Sequence, residues 1–392
     1  LVRSIHDLEL AGRVTFIRVD FNVPLDGEGR ITDDTRIRAA LPTIELARKM
    51  NARVVLASHL GRPKGRPDPD QSLEPAAGRL AELLQTEVGF ADDCVGDGVR
   101  KNVRDLRDGQ VLLLENTRFH PGEEKNDEEF AKALSEGVEV YVNDAFGAAH
   151  RAHASTAGIA RFVRDKGVGL LMKRELEYLG KLFREPEQPF VAVIGGAKVS
   201  DKIGVLQSLL DRCQSILIGG AMAYTLMKAR GLPTGNSRVE SDKVAVAERL
   251  LKSAAARRVQ LMLPEDHMVA QQFSENAPAE AVTEIREGFM GLDIGPRTRQ
   301  RYDEILAKAR TIFWNGPMGV FEWPAFAEGT FAVARSIAAS SGVSVVGGGD
   351  SVSALNRAGL ADRVSHVSSG GGASLELLEG KTLPGVAVLE AS

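Results

Sequence analysis

At 392 residues the chain is long for one hydrophobic core, so two domains of ordinary size are expected. A hydrophobic content of 43% with 26% charged residues is that of a globular protein and excludes a disordered or fibrous one. The formal net charge of −4 gives no general attraction to nucleic acid or to an anionic membrane, so any basic site has to be local.

Only two cysteines occur, Cys94 and Cys213, and their distance in sequence fits a reduced compartment better than a disulfide framework. Nothing near Leu1 resembles a signal peptide, and no apolar run approaches the roughly 18 residues of a membrane span. A soluble cytoplasmic protein is the expectation. The chain opens on Leu1 rather than Met, which reads as a processed or trimmed start.

In chain order, residues 13–21 read as a strand and 35–50 as a helix announced by Asp33 and Asp34. Pro42 predicts a kink or break in that helix. A strand over 53–58, a Gly/Pro-rich loop over 60–69 and a helix over 73–84 follow. Strands over 111–115 and 138–143 flank a helix over 127–134. Residues 169–183 are helical in pattern and run into Arg184-Glu185-Pro186-Glu187-Gln188-Pro189, a boundary signal. Strands are then expected over 190–194, 215–218, 260–263, 311–314 and 344–346, with helices clearest over 241–255, 298–309 and 326–339. Strands alternating with helices predict an α/β protein of two doubly wound, Rossmann-like parallel-sheet domains joined by a helix, to which the family resemblance given below adds a hinge.

In such sheets ligands bind at the carboxyl ends of the strands. In the first half those ends carry Asp20 and Asn22, then His59 and Arg62, then Arg118, then His150, Arg151 and His153, with Arg36 opening the first helix. Guanidinium groups pair with phosphate or carboxylate, while Asp and Asn orient hydroxyls, so the set suits a small anionic, hydroxylated substrate. Any one of these arginines could equally be a solvated loop charge. His150 and His153 also have an i, i+3 spacing that metal ligands use, but no third ligand stands at a telling distance, and a phosphate pocket is preferred.

In the second half, Val191–Ile194 leads into Gly195-Gly196 and then Lys198 and Lys202. This reads as a strand, a tight turn and the first turns of a helix marked by Ile203, Leu206, Leu209 and Leu210. The glycines would let backbone amides approach an anion, and two lysines one helical turn apart would point the same way. An ordinary turn with solvated lysines is the alternative. Three more glycine-rich turns follow strands: Gly219-Gly220, Asn315-Gly316-Pro317 and Gly347-Gly348-Gly349-Asp350-Ser351. Together they make a nucleotide-sized surface. Asp350 is placed to meet Mg²⁺ or, alternatively, to cap a helix. A helix over 375–378 opened by the glycines at 370–372 offers another anion-receptive start. No G-x-x-x-x-G-K-[ST], G-x-G-x-x-G, H-R-D or D-F-G is present, so neither P-loop nor protein-kinase machinery is expected.

These strand-end residues resemble the phosphoglycerate kinase family. The resemblance rests on Arg18-Val19-Asp20-Phe21-Asn22-Val23-Pro24, Ser58-His59-Leu60-Gly61-Arg62-Pro63 and Ala149-His150-Arg151-Ala152-His153. It continues in Gly195-Gly196-Ala197-Lys198-Val199-Ser200-Asp201-Lys202, Trp314-Asn315-Gly316-Pro317, Gly347-Gly348-Gly349-Asp350 and the segment Gly370-Gly371-Gly372-Ala373-Ser374-Leu375. It implies a monomeric, hinge-bending glycolytic enzyme moving a phosphoryl group between ATP and the carboxylate of 3-phosphoglycerate. Asp20, Asn22, Arg36, His59, Arg62, Arg118 and Arg151, with His150 beside them, would hold the phosphoglycerate. Gly195, Gly196, Lys198, Lys202, Gly219, Gly220, Asn315, Pro317, Glu322 and Gly347 through Ser351 (Gly348, Gly349 and Asp350 among them) would line the nucleotide site. Glu322 would meet the ribose and Asp350 the Mg²⁺ that accompanies the nucleotide. Arg36, Lys198, Lys202 and the Gly371 and Gly372 amides would act on the transferring phosphoryl.

The same resemblance implies a phosphoglycerate-binding domain over 1–168, an interdomain helix over 169–184 and a nucleotide-binding domain over 185–370. A tail over 371–392 would return to the first domain. Two rivals differ in class: a Rossmann oxidoreductase, disfavoured by the missing G-x-G-x-x-G turn, and a binding protein without turnover. Arg36, Lys202 and Asp350 argue against the second.

Overall fold

The continuous apolar runs of the sequence become the central strands of two sheets. A computed structural model describes residues 2–390, and Leu1 and the last two residues of the expected tail, Ala391 and Ser392, lie outside them. The first unit runs to Glu177 and resumes at Thr382; the second is Tyr178–Lys381.

The first unit has strands β1 (Val14–Arg18), β2 (Arg53–Ala57), β3 (Val88–Phe90), β4 (Val111–Leu113), β5 (Val140–Asn143) and β6 (Asp165–Val168). Its sheet is wholly parallel, in the order β3-β4-β2-β1-β5-β6. Helices α1 (Thr35–Lys49), α2 (Glu74–Leu84), α3 (Asp97–Asp105), α4 (Pro121–Glu124) and α5 (Glu128–Leu134) connect the strands, and α6 (Leu170–Arg184) follows β6. Every residue of β1 and β5 is buried, as expected of strands covered on both faces. Ile17, Phe21, Ile37, Ile44, Leu56 and Leu80 lie in one core.

Pro42 neither ends nor breaks α1. It removes the amide that would reach the Arg38 carbonyl. Burial of Ile37, Ala40, Thr43, Ile44 and Ala47 on one side holds the helix together across that gap.

The second unit contains β7 (Phe190–Ile194), α7 (Ile203–Leu209), β8 (Ser215–Ile218), α8 (Met222–Ala229), α9 (Val244–Ala256) and β9 (Gln260–Met262). Next come β10 (His267–Ala270), β11 (Glu280–Val282), β12 (Met290–Ile294), α10 (Pro296–Leu306), β13 (Thr311–Asn315) and α11 (Glu328–Ala339). The unit closes with β14 (Val343–Gly347), α12 (Gly349–Arg357), β15 (His366–Val367) and α13 (Gly372–Leu378). Its main sheet is again parallel, β15-β14-β13-β7-β8-β9. The antiparallel sheet β11-β10-β12 is an addition that the simple doubly wound expectation lacked.

Helix α14 (Pro384–Ala387) belongs to the first unit, where Asn143 Nδ2 donates to the Gly385 carbonyl at 3.1 Å and the Gly385 amide donates to Ala149 at 2.9 Å. The chain rejoins the first unit after Lys381. The reason is that α13 packs on α7, with the Ser208 hydroxyl bound to the Leu378 carbonyl.

Candidate active site

In both sheets the site residues gather where the strand order reverses. In the first, the ends of β1, β2 and β5 lie side by side, since Arg18 is paired with both Ala57 and Asn143. The chain leaves these strands at one edge, which is where a doubly wound sheet opens a crevice.

Asp20, half-buried just past β1, accepts hydrogen bonds from Arg36 Nη1 at 3.1 and 3.3 Å. Asn22 Oδ1 accepts the Gly61 amide at 2.9 Å, and Arg118 Nη1 donates to the Gly61 carbonyl at 2.8 Å. The peptide units on both sides of Gly61 are thereby held by two of the expected site residues. Arg118 is buried, and its Nε has no hydrogen-bond partner among the described residues. Burial works against its charge, so a substrate anion would relieve a standing cost.

His59 is buried, and its pKa is pushed well below the usual imidazole value, first by burial and then by the charges of Arg18, Arg118, Arg36 and Arg151. The positive charge of all four acts on one ring. Arg62 and Arg151 are exposed and His150 is half-buried; Arg62 is tied here by its backbone amide, which donates to Gln71 at 2.7 Å. Neither His150 nor His153 belongs to a three-ligand grouping among the described residues, so the metal alternative for that pair gains no support.

Three residues outside the expected set hold this patch. Arg18, 1% exposed, donates from Nε to Ser155 Oγ at 2.7 Å and lies 3.0 Å from His59 Nδ1 through Nη2. Ser155 in turn donates its hydroxyl and its amide to the buried carboxylate of Glu123, both at 2.7 Å. A signal for Arg18 was visible: a cation closing an otherwise apolar strand needs buried partners.

In the second unit the glycine turns sit where expected, but their amides have another task. The Gly195 amide donates to Asn315 at 2.9 Å, Gly196 to Pro317 at 3.1 Å, Gly219 to Ile194 at 3.1 Å and Gly220 to Met318 at 2.9 Å. These donors knit the turns to one another, so the expected amide cradle around Gly195-Gly196 is corrected. Glycine is required there by close approach. A Cβ at Gly195 would lie 2.1 Å from the Pro317 carbonyl oxygen, and one at Gly220 (φ +71°) 2.4 Å from that of Gly196.

The lysine expectation also changes. Helix α7 starts only at Ile203, so Lys198 and Lys202 do not share a helix face. Residues 199–202 form a turn closed by the Lys202 amide on Val199 at 2.9 Å, with the Ser200 side chain held by Glu240. Lys198 is exposed, whereas Lys202 is partly buried and its Nζ hydrogen-bonds Asn315 Oδ1. Burial lowers the Lys202 pKa, and the carboxylates of Asp201 and Asp350 oppose that. Asn315 Nδ2 is a buried donor with no partner among the described residues.

Gly348 caps α12, and Asp350 lies inside its first turn, so Asp350 is not the cap. No side chain caps this helix, which leaves its first amides for a ligand or water. Ser351 is buried and its hydroxyl accepts the Gly316 amide at 2.6 Å. Gly371 (φ +42°) caps α13, with Gly372 its first residue.

Gly196, Gly220, Pro317, Glu322 and Asp350 line a cavity of about 500 Å³. Its apolar wall comes from Tyr224, Met290, Leu292, Val320 and Phe273, which the motifs did not reveal. Phe273 is 66% exposed and packs on Trp323 with ring centroids 4.6 Å apart. An exposed aromatic of that kind was the available clue.

A guanidinium patch for a small anion and, in the second unit, a nucleotide-sized cavity with the Asp350 carboxylate on its wall and the partly buried Lys202 bonded to Asn315 define an ATP-dependent phosphotransferase. The family model described as Phosphoglycerate kinase matches residues 5–381, and the chain belongs to the phosphoglycerate kinase family. Its reaction is the glycolytic transfer of a phosphoryl group between ATP or ADP and the carboxylate of the 3-phosphoglycerate couple. It is 60% identical over 393 residues to the phosphoglycerate kinase of Anaeromyxobacter dehalogenans strain 2CP-1, covering 99% of each chain. Among solved structures it is similar to phosphoglycerate kinase from Coxiella burnetii, with a TM-score of 0.91, 41% identity and 99% of each chain covered. For the enzyme from Pyrococcus horikoshii OT3 the values are 0.86, 35% and 98% of each chain. Among the described residues no helix is long and apolar enough to cross a membrane.

Proposed function

We propose that the acceptor is held by the first unit and the nucleotide by the second, and that the two are brought together by hinge-bending closure. Asp20, Asn22, Arg36, His59, Arg62, Arg118, His150 and Arg151 would bind the phosphoglycerate. Lys198, Lys202, Asn315, Pro317, Glu322 and the residues from Gly347 to Ser351 would line the nucleotide, over a framework set by Gly195, Gly196, Gly219 and Gly220. In this reading 1–168 with the tail is the phosphoglycerate-binding domain, 169–184 the interdomain helix and 185–370 the nucleotide-binding domain. The observation that carries the reading is the buried Arg18 guanidinium 3.0 Å from the His59 ring, with the charges of Arg118, Arg36 and Arg151 also acting on that ring, in a protein of net charge −4.

The acceptor carboxylate has a reference pKa of about 4 and is ionised at neutral pH, so no general base is needed. What the protein supplies is alignment and charge neutralisation. Arg36 and Lys202 would neutralise the transferring phosphoryl, with Lys198 and the amides of Gly371 and Gly372 assisting. Closure would exclude water and so limit ATP hydrolysis.

Mg²⁺ fits the residues present. Asp350 offers an exposed hard oxygen on the cavity wall, and Mg²⁺ takes one or two carboxylates beside phosphate oxygens. When bound it would offset phosphate charge; Lys202 and Asn315 would orient the same phosphates from the sheet edge. A monomer in the cytoplasm is part of the proposal, the compartment being supported by the two buried free cysteines.

A coupled assay with purified protein, ATP, Mg²⁺ and 3-phosphoglycerate tests this, each component being omitted in turn. Turnover that needs all three is expected. Binding of each ligand without turnover would overturn the catalytic reading in favour of a binding protein.

A further inference from the structure

Cys94 follows β3, and His120 follows the short turn Thr117–Phe119 that carries Arg118. One ligand atom from each of Asp93, Cys94 and His120 lies within 4.8 Å of the others. His120 Nε2 is 2.5 Å from Asp93 Oδ1, and its ring stacks on Phe130 with centroids 4.7 Å apart and planes at 20°. The imidazole is thus held with Nε2 turned to the carboxylate. The Cys94 thiol, buried beside them, donates only to the Glu115 carbonyl at 2.8 Å.

The surroundings are strongly negative. A cavity of about 440 Å³ next to this cluster is lined by Asp68, Glu74, Asp92, Asp93 and Glu115, with His120 the one basic side chain on its wall. The Glu115 carboxylate is already committed, accepting Leu73 and Asn116 amides at 2.9 and 2.7 Å and the Ser72 hydroxyl at 2.7 Å. It therefore contributes field rather than a ligand. Burial first, and then the charges of Asp93, Glu123 and Glu115, push the Cys94 thiol well above its usual pKa. Carboxylates that resist a thiolate attract a dication.

We propose that Asp93, Cys94 and His120 form a binding site for Zn²⁺, a borderline-soft divalent cation, outside the phosphoryl-transfer site. One sulfur, one imidazole nitrogen and one carboxylate oxygen are a zinc donor set, and water completes the tetrahedron. Metal–ligand bonds of about 2.0–2.3 Å bring ligand atoms to about 3.3–3.7 Å of one another. Rotation of the exposed Asp93 and half-buried His120 side chains would part Nε2 from Oδ1, now 2.5 Å apart, and draw the wider pairs in from within 4.8 Å. On binding, a Zn–S bond replaces the S–H bond and one proton leaves to solvent. The proton that Nε2 shares with Asp93 in the free protein passes to Nδ1 through solvent, so that Nε2 offers its lone pair and the Nε2–Asp93 hydrogen bond gives way to two metal bonds. The proton released from sulfur makes binding stronger as pH rises. The site would clamp the segment after β3 to the turn bearing Arg118.

The test adds Co²⁺ to the full chain without nucleotide or phosphoglycerate, followed by displacement with Zn²⁺. One Co²⁺ per chain, with a thiolate-to-cobalt charge-transfer band, is expected. The band disappears in Cys94→Ser and persists in Cys213→Ser, whose thiol is buried in the other unit. His120→Ala, at a half-buried position that tolerates truncation, weakens binding by more than about a hundredfold. A wild-type chain without the band, a band surviving in Cys94→Ser, or unchanged affinity in His120→Ala would each overturn the proposal.

Discussion

Arg18 Nη2 lies 3.0 Å from Nδ1 of His59, and both side chains are buried. A guanidinium has no lone pair to offer, so Nδ1 must accept and the ring proton must sit on Nε2. His59 is accordingly a neutral Nε2–H donor. Nitrogen NMR of the ring should show that single tautomer down to pH 6.5, and a protonated ring there would sink the assignment. The folded pKa is below the unfolded one, so the unfolded chain takes up the proton first. The stability this group contributes is complete above about pH 6.5 and declines below it, by up to about 1.4 kcal/mol per pH unit. His59→Gln should flatten that slope.

Arg36 is exposed and held by Asp20, so it is oriented without being buried. Arg36→Ala should lower kcat by roughly a hundredfold or more with a modest change in KM, the pattern of a contact made in the transition state. Steady-state kinetics decide this. A change confined to KM would remove Arg36 from the chemical step.

Asp350 stands in the first turn of α12 with its carboxylate on the cavity wall. Asp350→Ala should raise the Mg²⁺ concentration needed for half-maximal rate at fixed ATP. If a magnesium titration superimposes on the wild type, the carboxylate is not at the metal.

Gly195 cannot carry a side chain without moving the Gly316 and Pro317 carbonyls, 2.7 and 2.1 Å from a built Cβ. Gly195→Ala should weaken ADP binding and cost about 1–3 kcal/mol of stability while phosphoglycerate binding persists. Calorimetry with each ligand separately checks it, and full ADP affinity would refute the close-packing account.

Legibility followed burial. β1, β7 and β13 are buried throughout and were plain as apolar runs, as was the sheet edge to which they deliver their site residues. The edge strands of the first sheet were not. β3 is Val-Gly-Phe with its glycine exposed, and β6 begins Asp-Lys, so neither carries the period of a covered strand. The β10–β12 sheet escaped because its strands are short and interrupted by polar turns. Glycine positions were legible while the use of their amides was not, because spacing shows where backbones can approach but not which carbonyl arrives. The support given to Arg18 by Ser155 and Glu123 spans 137 and 32 positions in the chain, beyond any local pattern.

The return of the chain to the first unit has a consequence for biosynthesis. Gly385 is bonded to Asn143 and Ala149, immediately before His150 and Arg151. On the ribosome, that strand end lacks its Gly385 partner until residue 385 has been made and has left the exit tunnel. The second unit is contiguous from Tyr178 to Lys381, so all of its contacts are available earlier. The domain that begins first is therefore the one completed last, and a nascent chain arrested short of residue 385 carries an unpinned acceptor loop.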